Sequence, residues 1–359
     1  WKHDCGDHSV VPLGVVAVRE AETGSKHCAC RVRRWFHLGS DTCEVVSRES
    51  GEALKVMPGL AFVFPGQGSQ YVGMGKDLFE NDPVAKELFE KADRVLGFSL
   101  SKTCFGGPDE ELKQTKNTQP AIFLHSSVLA KLYRGPQATM AAGHSLGEYS
   151  ALVYTGALTF EDGLKLVRLR GELMQQAGVE QPGTMAAVIG LDPKSLGEVC
   201  CKAWETGIVQ AANYNSPGQV VISGSVVGVR KAMELAKERG AKLVKELQVS
   251  GAFHSPLMES AKTGLKSALE KTEIKDARIP VYANVTAKPV RKAADIRELL
   301  LQQLTSPVRW EESVQNMAAG GATQFVEIGP GKVLQGLVKR IVPGTEVKGL
   351  EKIADITQS

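Results

Sequence analysis

Ala138-Thr139-Met140-Ala141-Ala142-Gly143-His144-Ser145-Leu146-Gly147-Glu148 decides the reading of this chain. Ala138–Ala142 is apolar and short, the length of a buried strand. It runs into a serine with a glycine two residues to either side, and a helix is expected over 146–155. A strand that turns sharply into a helix needs small residues where the two backbones crowd. Such a turn lifts the Ser145 hydroxyl clear of the sheet and aims the Leu146 N–H at an oxyanion forming beside it. The helix N-terminus favours the same negative charge. The pattern predicts a serine nucleophile that forms an acyl-enzyme, and by itself it suits hydrolases and acyltransferases alike.

The alternation of strands and helices continues on both sides. Leu60–Phe64 is an apolar run stopped by Pro65-Gly66, a buried strand entering a tight loop. Residues 119–134 place Ile122, Phe123, Val128, Leu129 and Leu132 at helical spacing, and 161–176 form an amphipathic helix with acids in its first turn. Further strands are expected near Pro280–Asn284 and Gln324–Ile328. This order argues for an α/β fold with a mostly parallel sheet. Between about 182 and 249 the pattern changes. Strands at Met185–Ile189, Val209–Asn213, Gln219–Ser223 and Leu243–Leu247 alternate with helices near 193–204 and 225–239, the β-α-β-β-α-β order of a ferredoxin-like unit. The expected organisation is a leader over 1–57 and a large α/β-hydrolase-like domain with a nucleophile elbow over 58–181 and 250–350. A small ferredoxin-like α+β subdomain is inserted over 182–249, and a tail covers 351–359.

The chain has 359 residues, 43% of them apolar and 23% charged, and a net charge of +3, too little to indicate nucleic acid or a membrane as partner. No apolar run reaches the length of a membrane span. Seven cysteines, with Cys200 and Cys201 adjacent, make an odd count that points to reduced thiols. Cys5, Cys28, Cys30 and Cys43 fall in the leader with His3, His8 and His27, but a Cys-x-Cys pair lacks the spacing of a zinc site, and no metal is expected. Arg31, Arg33 and Arg34 suit an organelle transit peptide, whereas Asp4, Asp7, Glu20, Glu22, Asp41 and Glu44 weigh against one. A plastid or mitochondrial matrix follows if the leader is a transit peptide, and the cytoplasm otherwise.

A serine nucleophile needs a base. His125 lies in an apolar helix and reads as a satisfied core residue. His144, adjacent to the serine, reads as shaping the turn. His254 lies in Val249-Ser-Gly-Ala-Phe-His-Ser-Pro-Leu257, a strand end, loop and proline-started helix, where a scaffold holds catalytic groups; it is the expected general base and acid.

Six blocks then carry a resemblance: Phe64-Pro-Gly-Gln-Gly-Ser-Gln70, Gly143-His-Ser-Leu-Gly-Glu148, Leu169-Arg-Gly-Glu-Leu-Met174, Gly251-Ala-Phe-His254, Gln303-Leu304 and Glu327-Ile-Gly-Pro-Gly-Lys332. In this order and spacing, over about 58–350, they resemble the malonyl-CoA:acyl carrier protein transacylase family of fatty acid synthesis. The resemblance implies Ser145 as nucleophile, His254 as base, and Arg170 gripping the free carboxylate of the malonyl group. It further implies that the main-chain carbonyl of Gln303 orients His254 and that the N–H groups of Gln67 and Leu146 form the oxyanion hole. The implied reaction is ping-pong, from malonyl-CoA to the phosphopantetheine thiol of acyl carrier protein, with no metal or other cofactor and a monomer sufficing. In related polyketide acyltransferases a bulky residue at the position of Phe253 goes with malonyl and a small one with methylmalonyl. An acidic carrier protein would meet basic residues, for which Lys332, Lys339, Arg340, Lys242 and Lys245 are candidates.

A serine hydrolase is the main rival reading, but no acidic third member and no HGGG-type loop are evident. Gly66-Gln-Gly68 lacks the third glycine of a dinucleotide fingerprint, and Gly329-Pro-Gly-Lys332 is followed by Val333 where a P-loop needs Ser or Thr.

Overall fold

The computed structural model describes residues 59–357, together with a short antiparallel ladder in which Val45–Val46 pairs with Ala53–Leu54. The chain divides into two units, Trp1–Met57 and Pro58–Ser359. The cysteines and histidines of the leader, and its targeting character, lie outside the described residues.

Gly59–Phe64 shows why its run is unbroken. Leu60, Phe62 and Phe64 enter one hydrophobic cluster and Ala61 and Val63 enter another, so both faces of the strand are covered. It lies inside a six-stranded sheet of order (Pro289–Val290)-(Val281–Tyr282)-(Met140–Gly143)-(Gly59–Phe64)-(Ala322–Ile328)-(Glu346–Leu350). Every pairing is parallel except the edge pair of Pro289–Val290 with Val281–Tyr282. The strand anticipated over 280–284 is only two residues long. Its chain turns at once, with the Ala287 N–H donating to Ala283 O, and this takes Asn284 out of the sheet.

Helix Phe160–Glu180 is longer than the periodicity over 161–176 suggested. Thr159 caps it by accepting the Asp162 N–H, and Pro182 follows its end. Helix Thr115–Leu132 carries Pro120 in its interior. Proline has no N–H for the carbonyl four residues back, that of Lys116, and Arg168 Nη1 donates to it instead at 2.9 Å.

Residues 183–246 form a four-stranded antiparallel sheet of order (Val209–Ser216)-(Gln219–Ser225)-(Gly183–Ile189)-(Leu243–Glu246), with helices Pro193–Ala203 and Val226–Glu238 between its strands. Ala186, Val188, Val220 and Ile222 pack against Leu196, Val199, Val229 and Ala232 of those helices. Met185 and Val221, of opposite parity, join the main core. Residues 351–357 include the helix Ile353–Thr357, whose Ile353 N–H donates to Asp77 Oδ2 at 2.9 Å. Among the described residues no helix is long and apolar enough to cross a membrane.

Candidate active site

The elbow is built from close backbone contacts. A Cβ at position 143 would lie 1.9 Å from the Gly147 carbonyl carbon, and one at 147 would lie 2.1 Å from Phe64 O. Both flanking positions therefore require glycine, which lets the strand Met140–Gly143 and the helix Gly147–Tyr154 meet on the shoulder of the first strand. Ser145 between them has φ 52°, a left-handed conformation costly for a residue with a Cβ. Asn284 holds it there. Its Oδ1 accepts the Ser145 N–H at 2.7 Å and its Nδ2 donates to Gly143 O at 2.6 Å.

Ser145 Oγ lies 2.8 Å from His254 Nε2, although 109 residues separate them. His254 also has a positive φ, 58°. Its Nδ1 lies 2.8 Å from the main-chain oxygen of Gln303. A carbonyl oxygen only accepts, so Nδ1 carries the hydrogen and Nε2 is left to accept the serine proton. Gln210, reaching from the small sheet, donates to His254 O at 2.8 Å and to Thr305 O at 3.2 Å. Burial, reinforced by the charge of Arg170, lowers the His254 imidazole to about 3, so it is a neutral base at physiological pH.

Arg170 is 1% exposed. Two residues earlier on the same helix, Arg168 is half-buried and bound to Glu172 and Asn117; a spacing of two on a helix sends side chains to nearly opposite faces. Arg170 Nη1 donates to Gln119 Oε1 at 2.7 Å, and Nη2 donates to Gln303 Oε1 at 2.9 Å and to Ser145 Oγ at 3.0 Å. Its Nε has no partner among the described residues. The guanidinium stands over the Tyr149 ring, 5.8 Å from its centroid, and burial lowers its affinity for a proton. Its hydrogen-bond partners are all neutral, so its charge is not consumed by a direct ion pair.

Gln303 thus contributes through its side chain as well as its carbonyl. Its Nε2 donates to Glu148 Oε2 at 2.8 Å and to Ser145 O at 3.1 Å. Glu148 Oε2 also accepts the Asn284 N–H at 3.1 Å. Burial lifts the Glu148 carboxyl to about 7 against the opposing pull of those hydrogen bonds and of Arg170.

Ser145, His254, Arg170, Gln67, Leu146 and Phe253 line one cavity of about 690 Å³, which Met185, Asn213 and Val221 of the small sheet also line. The N–H groups of Gln67 and Leu146 have no acceptor among the described residues. Gln303 is fully buried behind the cavity wall. His144 turns from the serine to Asn215, with Nε2 2.9 Å from Oδ1, and its ring leans on Trp310. Lys332, Lys339, Arg340, Lys242 and Lys245 are exposed, and of these Arg340 reaches the cavity wall. His125 is buried as anticipated but not satisfied. Neither ring nitrogen has a partner among the described residues, and burial lowers it to about 4. Among the described residues no cluster of His, Cys, Asp and Glu could hold a metal ion, and Cys104 and Cys200 are buried free thiols.

Asn284, Gln119, Gln210 and Glu148 are the site residues that sequence reasoning left unassigned. Glu148 offered a signal, a carboxylate inside the nucleophile motif on a helix that packs in the core. The other three are amides whose partners lie far along the chain.

A serine with a neutral base can pass an acyl group through an ester. A buried guanidinium on the same oxygen favours an acyl group with a negative tail. Fold and site together define a serine acyltransferase, and residues 61–353 match the acyl transferase domain family. A malonyl CoA-acyl carrier protein transacylase of Bacillus subtilis is 51% identical over 288 residues, which cover 79% of this chain and 91% of that protein. A solved acyl carrier protein S-malonyltransferase of Vibrio cholerae is 44% identical with a TM-score of 0.81, covering 83% of this chain and 99% of its own. A malonyl-transacylase solved in complex with a type II polyketide acyl-carrier protein is 42% identical with a TM-score of 0.81, covering 84% and 98%. The chain belongs to the malonyl CoA-acyl carrier protein transacylase family.

Proposed function

We propose that this chain moves the malonyl group from malonyl-CoA to the phosphopantetheine thiol of acyl carrier protein, in fatty acid biosynthesis, through a malonyl ester on Ser145. The observation that carries the reading is the buried Arg170, with Nη2 3.0 Å from Ser145 Oγ and Nε unpartnered. A carboxylate that reaches the guanidinium gains charge-assisted hydrogen bonds and brings the carbonyl three bonds away onto the serine. His254 Nε2 takes the hydroxyl proton as Oγ attacks. The N–H groups of Gln67 and Leu146 receive the oxyanion. His254 then gives the proton to the departing CoA sulfur. In the second half the carrier thiol loses its proton to His254, attacks the ester and frees Ser145. The cycle uses no metal or organic cofactor, and one copy of the cleft carries every group it needs.

The carrier protein is an acidic partner, and its docking face is proposed at Lys332, Lys339 and Arg340, with Lys242 and Lys245 beyond the cavity. The relative solved with a carrier protein supports that class of partner. Phe253, 6% exposed and on the cavity wall, is proposed to exclude an α-methyl group; methylmalonyl-CoA that labels Ser145 as fast as malonyl-CoA contradicts this. Malonyl-CoA supplied with and without acyl carrier protein tests the function. Malonyl-carrier protein is the expected product, and free malonate as the main product in both cases would make the enzyme a hydrolase.

A further inference from the structure

Arg170 is a buried cation whose hydrogen-bond partners are all neutral, and Glu148 is a buried carboxylate bonded only to neutral donors. The side-chain amide of Gln303 joins them. Its Nε2 lies 2.8 Å from Glu148 Oε2 and its Oε1 lies 2.9 Å from Arg170 Nη2, a chain of carboxylate, amide and guanidinium. A direct ion pair would fill the donors that the substrate needs. With no counter-charge at all, a buried guanidinium would be costly to keep ionised. The amide bridge avoids both.

We infer that Glu148 is the counter-charge of Arg170, coupled to it through Gln303, and that it gives up this role to the substrate carboxylate by taking a proton. The inference rests on the malonyl reading above. Once a malonyl carboxylate sits on Arg170, the cluster holds two anions for one cation, in surroundings where like charges repel strongly. The carboxyl of Glu148, already lifted to about 7 by burial, is the group able to neutralise. The other titratable groups facing it do not compete. His254, lowered to about 3, is already neutral, and Tyr149 is pushed up to about 12. Arg170 keeps its charge. Asn284 and Gln303, the remaining contacts, do not titrate.

The consequence is a pH dependence confined to substrates with a free carboxylate. For malonyl-CoA, KM rises several-fold from about pH 6 to about pH 8, because an ionised Glu148 opposes the second anion. Acetyl-CoA carries the same CoA phosphates and shows no such rise. Glu148→Gln keeps the shape and the acceptor oxygen without the charge, and its malonyl-CoA KM is flat at the wild-type acid value. A second measurement leaves Glu148 in place: isothermal titration of the Ser145→Ala enzyme with malonyl-CoA near neutral pH, in buffers of different ionisation heat. Uptake of a fraction of a proton is expected with malonyl-CoA and none with acetyl-CoA. Equal uptake from both, or a Glu148→Gln profile that keeps the wild-type slope, overturns the inference. If wild-type Ser145 forms no malonyl ester, the malonyl reading itself has failed.

Discussion

Replacing Arg170 by alanine separates the grip on the acyl group from the chemistry of the serine. In the free enzyme the guanidinium donates to Gln119, Gln303 and Ser145, with Nε open. A carboxylate seated on it gains two hydrogen bonds of the charged kind, each worth about 1.5–3 kcal/mol. Some of that gain replaces the bond to Ser145 Oγ, so the net loss in Arg170→Ala is about 2–5 kcal/mol, or roughly 30- to 5,000-fold in kcat/KM for malonyl-CoA. Acetyl-CoA has no carboxylate and loses only what the rearranged Gln119 and Gln303 amides cost. The assay is acylation of Ser145 by each thioester, followed by intact mass over time, with thermal denaturation as the check on folding. The ratio of malonyl to acetyl rates should collapse while the acetyl rate falls far less. Equal losses on both substrates from a folded variant would refute a carboxylate grip and leave Arg170 as a structural support of the elbow.

Asn284→Ala leaves the Ser145 N–H and the Gly143 carbonyl without their partner. Stability should fall by about 1–3 kcal/mol, and kcat by roughly tenfold or more, with the malonyl-CoA KM little changed; steady-state kinetics beside urea denaturation check this. Because burial and Arg170 hold His254 near 3, lowering the pH from 7 to about 5 should not reduce kcat/KM for malonyl-CoA, and in Arg170→Ala an acid limb should move up toward 6.5. The same depression has a stability sign. Between 6.5 and about 3 the unfolded chain takes the proton and the folded one does not, so this part of the stability is lost as pH falls through that window. A wild-type denaturant midpoint that is more acid-sensitive there than that of His254→Gln is the expected result. Gly147→Ala would drive a Cβ to 2.1 Å from Phe64 O, backbone against backbone, and should destabilise by about 3 kcal/mol or more or prevent folding; a soluble, active variant would contradict the elbow geometry.

Features written in local sequence were legible. Gly143 and Gly147 announce the elbow because only glycine fits there, and Leu60–Phe64 announces a sheet covered on both faces because its run is unbroken. The small sheet was readable from four short strands and two helical stretches. Arg170 needed the resemblance, yet a trace of its role is local. It falls on the buried stripe of Leu164, Val167, Gly171 and Met174, where an arginine has no ordinary reason to sit. The amide network was not legible. Asn284 reaches Ser145 across 139 positions and Gln303 reaches Glu148 across 155, and an amide carries no local signal of which distant partner it meets. His125 shows the opposite limit, since its burial was legible but its unsatisfied nitrogens were not.

The central claim is that Ser145 carries a malonyl group between two thiols. Brief exposure of the protein to malonyl-CoA, then intact-mass measurement before and after adding phosphopantetheinylated acyl carrier protein, tests it most directly. The expected result is a gain of one malonyl group, located on Ser145 by peptide mapping, absent in Ser145→Ala, and discharged to the carrier when the carrier is added. A protein that transfers malonyl while Ser145 remains unmodified and replaceable would contradict it.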